Sequence, residues 1–527
     1  MMSSNRILAV ALFAVVAASL PSNSQPAPTK LDPRKMPAVG KIDERFQSYN
    51  IEMLEVTGGR FWAPYSSQTS APVEAQHPSP GSLPDSLYRY RPPVNLADPR
   101  LRKLAAALGP AYLRVSGTWA NSTYFQDSDD PPAAKPPAGF NGVLTRAQWH
   151  GVVDFAHAVD AKLVTSFAVS QGVRNANGVW TPTEAEKFLN YTKDVKGSIA
   201  AAEMFNEPSV ARLSGSPKEY DAAAYGRDFR AFVAYFKKAY PQMEILGPGS
   251  LGESGAMGAM LGTNILHTED MLKEEGPGLD AFSYHFYGAL SKRCAMMGGP
   301  ALGTTPDAAL SDDWLSRTNR DEAYYAALRD RYLPGKPLWL TETGETGCGG
   351  NPWAADFIDS FRYLNQLGTL AKHGVKVVIH NTLDASDYAL IDETTLTARP
   401  NYWSAVLWRR LMGTTVLDAG NAPQQPGLYL YAHCLRDHPG GVALLAINAD
   451  RTSAPEVSLS VPSASYTLTA NNMLDSTVML NGTELKLTQS GDLPPLNGAE
   501  HKSGTVTLGP ASISFFALPS AHNQACR

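Results

Sequence analysis

Between residues 46 and 410 the chain alternates short β-rich apolar runs with longer stretches whose apolar positions recur at helical spacing. The apolar runs fall at 47–54, 111–117, 162–169, 200–207, 244–249, 281–287, 337–342 and 375–382. The amphipathic stretches between them include 98–108, 146–160, 183–194, 219–239, 319–331 and 355–373. A strand buried on both faces reads as a short continuous apolar run, and helices interleaved with such strands build a parallel sheet. Eight strands in this alternation predict an α/β fold, a closed (β/α)₈ (TIM) barrel spanning 46–410. Residues 64–97, rich in Pro and Ser, predict a loop.

After residue 411 the period shortens. Runs such as VALLAINA, EVSLSVP, YTLTANNML and SISFFALP are separated by Gly, Asn, Asp and Pro with no helical pattern between them. This predicts an antiparallel β-sandwich domain over 411–527. Residues 25–45 predict a linker or N-terminal arm. At the start of the chain, Arg6 precedes an apolar run at 7–19 that is too short to span a bilayer, followed by a polar, Pro-rich stretch. That order predicts a signal peptide over 1–24, cleaved between Ala18 and Gln25, and a secreted or periplasmic protein. A membrane anchor is the alternative reading of the same run.

Composition changes this picture little. The 527 residues are 43% hydrophobic and 18% charged, ordinary for a globular protein large enough to bury a sizeable core. The formal net charge of −5 gives no global basic field and argues against a nucleic-acid partner. Any polyanionic substrate must be held by local groups. Cys294, Cys348, Cys434 and Cys526 lack the spacing of a zinc site, and their three possible pairings stay open. No His-rich ligand spacing appears, so neither metal nor cofactor is expected.

Barrel enzymes carry their chemistry at the C-terminal ends of strands. Phe205-Asn206-Glu207-Pro208 closes the fourth run, where Pro208 cannot continue a sheet ladder, and Leu340-Thr341-Glu342-Thr343 closes the seventh. Strands four and seven of a closed barrel face each other across its mouth. Two carboxyl groups so placed suit glycoside hydrolysis, one protonated to donate to the leaving oxygen and one ionised to attack the anomeric carbon. Ordinary loop-edge carboxylates are the bland alternative. Glu345 is a rival nucleophile three residues on, expected in a solvated loop. Glu203 shares strand parity with Glu207, so it should point inward, where a structural ion pair with Arg114 is the simplest role.

These segments resemble the heparanase and β-glucuronidase group, glycoside hydrolase family 79, from about residue 45 to the C-terminus. The resemblance is carried in order by LGPAYLRVSGTWANSTYF (108–125), AEMFNEP (202–208), DAFSYHFY (280–287), LWLTETGETGCGG (338–350) and the segment 387–417. It implies a retaining mechanism on β-linked glucuronic acid, with Glu207 as acid/base and Glu342 as nucleophile. It further implies that Asn206 contacts the sugar 2-hydroxyl and that Arg114, His285 and Tyr287 lie near the nucleophile. Glu52 and Thr118 would contact the remaining hydroxyls, and Tyr388 with Gly349 and Gly350 would bind the uronate carboxylate. Tyr287 and His285 also read as packed core residues, the two glycines as a simple turn, and Trp119 as either core or a sugar-stacking platform.

Cys434 and Cys526 resemble the family's sandwich-domain bridge, and a Cys294–Cys348 bond would brace the Gly-rich loop. The chain lacks the Lys/Arg clusters and the excised linker of a heparanase, which favours a single-chain β-glucuronidase. An endo-acting heparanase-like enzyme, a related hydrolase of neutral β-glycosides and a non-catalytic carbohydrate binder are the alternatives. Asn-x-Ser/Thr sequons occur at Asn121, Asn190 and Asn481.

Overall fold

The computed structural model describes residues 27–65, 85–255, 258–259, 262, 265–420 and 425–527. The expected signal peptide lies outside the described residues. Eight strands form the barrel: β1 (Gln47–Glu52), β2 (Ala111–Ser116), β3 (Ala161–Ser166), β4 (Ile199–Glu203), β5 (Glu244–Leu251), β6 (Ala281–Tyr287), β7 (Leu338–Gly344) and β8 (Val377–His380). Each pairs in parallel with its neighbours in chain order, and β8 pairs with β1 to close the ring.

A barrel helix follows each strand: α1 (Pro99–Ala106), α2 (Arg146–Ala158), α3 (Thr183–Asp194), α4 (Ala222–Ala239), α5 (Thr268–Glu275), α6 (Asp312–Tyr332), α7 (Ile358–Lys372) and α8 (Pro400–Leu411), with short additional helices at Met53–Thr57 and Lys292–Gly298. Four of these starts carry a side-chain cap. Asp98 accepts from Arg100 N and Leu101 N ahead of α1, and Thr145 forms a capping box with Gln148 ahead of α2. Ser311 caps α6, which therefore begins seven residues before the expected 319; the polar run after Ser311 hides the helical period. The region expected to be loop at 64–97 contains a strand, Tyr88–Arg91, paired antiparallel with Gly59–Trp62; alternating Tyr and Arg between prolines masks it.

The lower barrel is filled by Tyr112, Val164, Ala201, Leu246, Ala281, Trp339, Val377 and Ile379. Side chains two residues on along a strand share a face. Arg114, Glu203, Ser283, Thr341 and Asn381 therefore stack directly above this apolar layer. At β7 the ladder shifts between Leu340 and Glu342, where one step on β6 (Tyr284 to His285) spans two on β7. The extra residue lets both Thr341 and Glu342 face inward, the re-aiming that a β-bulge provides.

Beyond α8 a nine-stranded sheet packs against a three-stranded one. In the strand Val442–Asn448 the odd positions Ala443, Leu445 and Ile447 join the barrel-side core with α7 and α8, and Val442, Leu444 and Ala446 face the small sheet. Residues of the expected linker are part of this unit. Thr29–Leu31 pairs in parallel with Glu456–Leu459, and Ala38–Lys41 pairs antiparallel with Met412–Leu417. Asn523 Nδ2 donates to the carbonyls of Pro33 and Met36 at 2.7 and 2.8 Å, tying the two chain ends together. Disulfides link Cys294 to Cys348 and Cys434 to Cys526. Among the described residues no helix is long and apolar enough to cross a membrane.

Candidate active site

The mouth of the barrel gathers almost every residue singled out by sequence. Arg114, only 1% exposed, is the centre. Its Nη1 donates to Glu342 Oε2 at 3.0 Å, its Nη2 to Glu203 Oε2 at 2.8 Å and to Asn206 Oδ1 at 2.8 Å. The ion pair with Glu203 and a role beside Glu342 therefore coexist. Glu203 also accepts from Ser283 Oγ at 2.8 Å and Thr341 Oγ1 at 2.7 Å. Burial opposes its ionisation, but Arg114 and these hydrogen bonds prevail and hold its carboxyl below the usual range. On Arg114 itself burial favours loss of charge, and the Glu203 and Glu342 carboxylates outweigh it.

Glu342 lies within β7, held from two sides. Tyr287 donates its hydroxyl to Oε1 at 2.8 Å while Arg114 holds Oε2. Both carboxyl oxygens are thus held in place, one by a phenol and one by a guanidinium.

Glu207 does not end the fourth strand as expected; β4 stops at Glu203, and the chain turns out over Met204–Asn206. Asn121 causes the turn, since its Oδ1 accepts from Asn206 N at 2.8 Å and its Nδ2 donates to Asn206 O at 2.9 Å. Glu207 then sits in the left-handed region with φ of 52° and begins a 3₁₀ helix at Pro208–Leu213. Such a conformation costs a non-glycine residue of order 1 kcal/mol and persists where surrounding contacts impose it. Burial raises the Glu207 carboxyl to about 7, with Arg114 opposing and Glu203 adding to the rise.

His285 touches Glu207 rather than the nucleophile candidate most closely: Nδ1 is 3.0 Å from Glu207 Oε1 and 3.8 Å from Glu342 Oε2. Its Nε2 faces Arg114 Nη2 at 3.3 Å. A guanidinium only donates, so Nε2 accepts and Nδ1 carries the proton toward Glu207. Burial lowers this imidazole to about 4, so it is neutral at pH 7. One oxygen each of Glu207 and Glu342 and one His285 nitrogen lie within 4.8 Å of one another. That spacing would also suit a metal ion, but Arg114 already supplies the positive charge there.

Glu52 ends β1, with Oε1 accepting from Asn381 Nδ2 at 3.1 Å. Its Oε2 has no partner among the described residues and lies where a side chain at Gly117 would stand. Burial and then Glu342 raise the Glu52 carboxyl well above its ordinary value. Thr118 follows Gly117 on the same rim. Asn381 was not foreseen. Its Nδ2 also donates to Tyr287 and Tyr388 hydroxyls at 3.0 and 3.1 Å, which makes it a hub between Glu52 and both phenols. An Asn at a strand end reads as a turn residue, and only its place after β8, the strand that closes the barrel beside β1, marks it otherwise.

Glu345 is not a solvated loop carboxylate. It is buried and accepts from Thr346 Oγ1 at 2.7 Å, Asn351 N at 2.9 Å and Asn351 Nδ2 at 3.1 Å. It braces the Gly-rich loop from inside. In that loop Gly349 and Gly350 both have φ of 82°, and a Cβ at Gly349 would lie 2.6 Å from Trp62 and Ser386 atoms. Ser386 Oγ donates to Gly349 O at 2.9 Å, and Gly350 packs against Tyr388, so loop, disulfide and Tyr388 form one wall beside Tyr287. Trp119, half-buried, packs on Phe61 with ring centroids 5.1 Å apart. Of the sequons, Asn190 and Asn481 are exposed, but Asn121 is fully buried with its amide engaged, so a glycan has no place there.

Residues 94–368 match the family model described as glycosyl hydrolase family 79, N-terminal domain. The chain is 26% identical to heparanase-like protein 1 of Arabidopsis thaliana, covering 82% of this chain and 86% of that one. It is 27% identical to the hyaluronoglucuronidase of Hirudo nipponia, covering 82% and 92%. Its fold superposes with a TM-score of 0.62 on a 4-O-α-L-rhamnosyl-β-D-glucuronidase from Fusarium oxysporum, at 15% identity over 93% of this chain and 100% of that chain.

Proposed function

Because the chain belongs to glycosyl hydrolase family 79, whose relatives make it an O-glycosyl hydrolase, we propose that it cleaves β-linked glucuronic acid with retention of configuration. One observation carries the mechanism: Glu207 and Glu342 oxygens approach within 4.8 Å, closer than the roughly 6.5–9.5 Å an inverting pair needs for its water. Glu342, held by Arg114 and Tyr287, attacks the anomeric carbon. Glu207, kept protonated by burial, gives its proton to the glycosidic oxygen as the C–O bond breaks, and a glycosyl ester on Glu342 results. Glu207, now ionised, takes a proton from the water that attacks the ester, and Glu342 leaves.

The rest of the mouth supports this cycle. At pH 7 Arg114 carries one positive charge against the two negative charges of Glu203 and Glu342, so the site is net negative. A net negative site stabilises an oxocarbenium-like transition state. Arg114 occupies Asn206 Oδ1, which leaves its NH₂ group to donate to the sugar 2-hydroxyl. Glu52 and Thr118 serve the other hydroxyls. Tyr388 and the Gly349–Gly350 amides form the uronate end, where backbone N–H groups and a phenol hold an anion without a formal charge. The two disulfides suit a secreted or periplasmic protein.

The test is hydrolysis of an aryl β-glucuronide followed by NMR. We expect the β anomer to appear first and Glu342→Ala to remove the activity. An α anomer appearing first would overturn the nucleophile assignment. Equal rates for wild type and variant would overturn the enzyme reading, and faster turnover of the matching β-glucoside would overturn the substrate.

A further inference from the structure

Strand β8 ends at His380, Asn381 follows it, and the two grip Tyr388 from opposite ends. His380 Nε2 lies 2.9 Å from the Tyr388 carbonyl oxygen. A carbonyl only accepts, so Nε2 carries the proton and ties down the Tyr388 main chain. Asn381 holds the far end, its Nδ2 donating to the Tyr388 hydroxyl at 3.1 Å. All three side chains are buried.

The same nitrogen reaches the Tyr287 hydroxyl at 3.0 Å and Glu52 Oε1 at 3.1 Å. Gly344 lets the two phenols converge on it. A Cβ there would lie 3.0 Å from Tyr287 Cε1 and 3.1 Å from Tyr388 Cδ1. Hydrogen bonds therefore run from Tyr388 through Asn381 and Tyr287 to Glu342, which places the Tyr388 hydroxyl in the barrel mouth beside the nucleophile.

The direction of each proton follows from the donor. An amide nitrogen only donates, and a phenol has a single proton. The Tyr287 oxygen accepts from Asn381, so its proton is left for Glu342 Oε1 at 2.8 Å. The Tyr388 oxygen accepts from the same amide, and among the described residues its own proton has no acceptor. Burial raises both phenols well above their ordinary value, so both keep that proton. A buried donor without an acceptor is costly, and an incoming anion relieves that cost. A carboxylate accepts more strongly than a sugar hydroxyl, because the bond is charge-assisted. Without the amide, Glu52 Oε1 and the two phenol oxygens would face one another, and the Tyr388 proton could turn to Glu52.

Resting on the glucuronidase reading above, we infer that Asn381 is a specificity-determining positioning residue. By donating to both phenol oxygens it commits the Tyr287 proton to Glu342 and the Tyr388 proton to the substrate carboxylate.

The experiment measures kcat and KM for an aryl β-glucuronide and the matching β-glucoside. The proteins are wild type, Asn381→Ala, Asn381→Asp, Tyr388→Phe and the double variant Asn381→Ala/Tyr388→Phe. Tyr388→Phe should lower the glucuronide-to-glucoside ratio of kcat/KM about tenfold, through KM. Asn381→Ala should lower that ratio about as far and also reduce kcat on both substrates, through Tyr287. The double variant should show a ratio no lower than Tyr388→Phe alone. Asn381→Asp keeps the size of the side chain and replaces the donor by an acceptor, so it should lower the ratio at least as far as Asn381→Ala. It also supplies the answer if the alanine variant does not fold. A ratio left unchanged in the Asn381 variants, with both substrates slowed equally, would overturn the inference. So would a double variant in which the two losses of ratio multiply. Wild type that fails to hydrolyse the glucuronide would instead sink the glucuronidase reading on which the inference rests.

Discussion

The lower and upper halves of the barrel are built from the same eight strands, two residues apart, and have opposite character. Below lie Tyr112, Ala201, Trp339 and Ile379 in an apolar layer; above, at the next inward positions, lie Arg114, Glu203, Thr341 and Asn381. The lower layer stabilises the fold by removing apolar surface from water. The upper layer buries an arginine, four glutamates and a histidine, an arrangement that costs desolvation free energy and is sustained because Arg114 pairs with Glu203 and Glu342 while burial disfavours charge on Glu52, Glu207 and His285. The comparison teaches that strand parity sets the direction of a side chain and that distance along the strand sets its function.

Four substitutions break or sharpen this division. Glu342→Gln, in the upper layer, should lower kcat about 10⁴-fold or more, with the melting temperature little changed, because Arg114 keeps Glu203 as partner. Trp339→Ala, in the lower layer, should do the reverse. We expect a loss of about 3–5 kcal/mol in urea unfolding, with kcat per folded molecule within a few-fold of wild type. If Trp339→Ala cut kcat as deeply as Glu342→Gln, the two layers would not be functionally separate.

Glu207→Gln should cost about 10²–10³-fold with an alkyl glucuronide and much less with a nitrophenyl one, whose leaving group needs no proton. The wild-type rate requires protonated Glu207, so it should fall as pH rises through about 7. The variant's pH profile should lack that descent. The same shift affects stability. Between an unfolded value near 4.5 and a folded value of about 7, the native state holds a proton the unfolded chain has lost. The contribution of Glu207 is therefore full below 4.5 and is lost as pH rises through 7. Ile379→Val is the smallest change, at about 1 kcal/mol of stability with no effect on the pH profile. A shifted profile would show that the apolar layer tunes the charged one.

Much of this was legible in the sequence because it follows from period and order. Each of the eight expected strands overlaps a barrel strand; Glu203 points inward as expected, although Glu207, from which its parity was counted, lies beyond the strand. Glu207 and Glu342 were marked by their place at the ends of the fourth and seventh runs. What escaped depends on tertiary reach. The bulge at Thr341–Glu342, which turns two successive side chains inward, leaves no trace in composition. Glu345 looked solvated because its partner Asn351 is supplied by the loop folding back. Asn381 binds three groups, from two strands and the loop after β8, a convergence no local pattern reports. The segment at 29–41 looked like a linker because its strands are short and their partners lie some 400 residues away.

The buried amide of Asn121 has a consequence for how the protein can be produced. Oligosaccharyltransferase acts on a nascent chain before folding, when Asn121-Ser122-Thr123 is as accessible as any other sequon. A glycan attached there would occupy the nitrogen that must later reach the carbonyls of Asn206 and Ser214. Molecules modified at Asn121 could not complete the turn that presents Glu207. Expression in a eukaryotic secretory pathway should therefore yield a native fraction unmodified at Asn121, alongside a retained, misfolded glycoform.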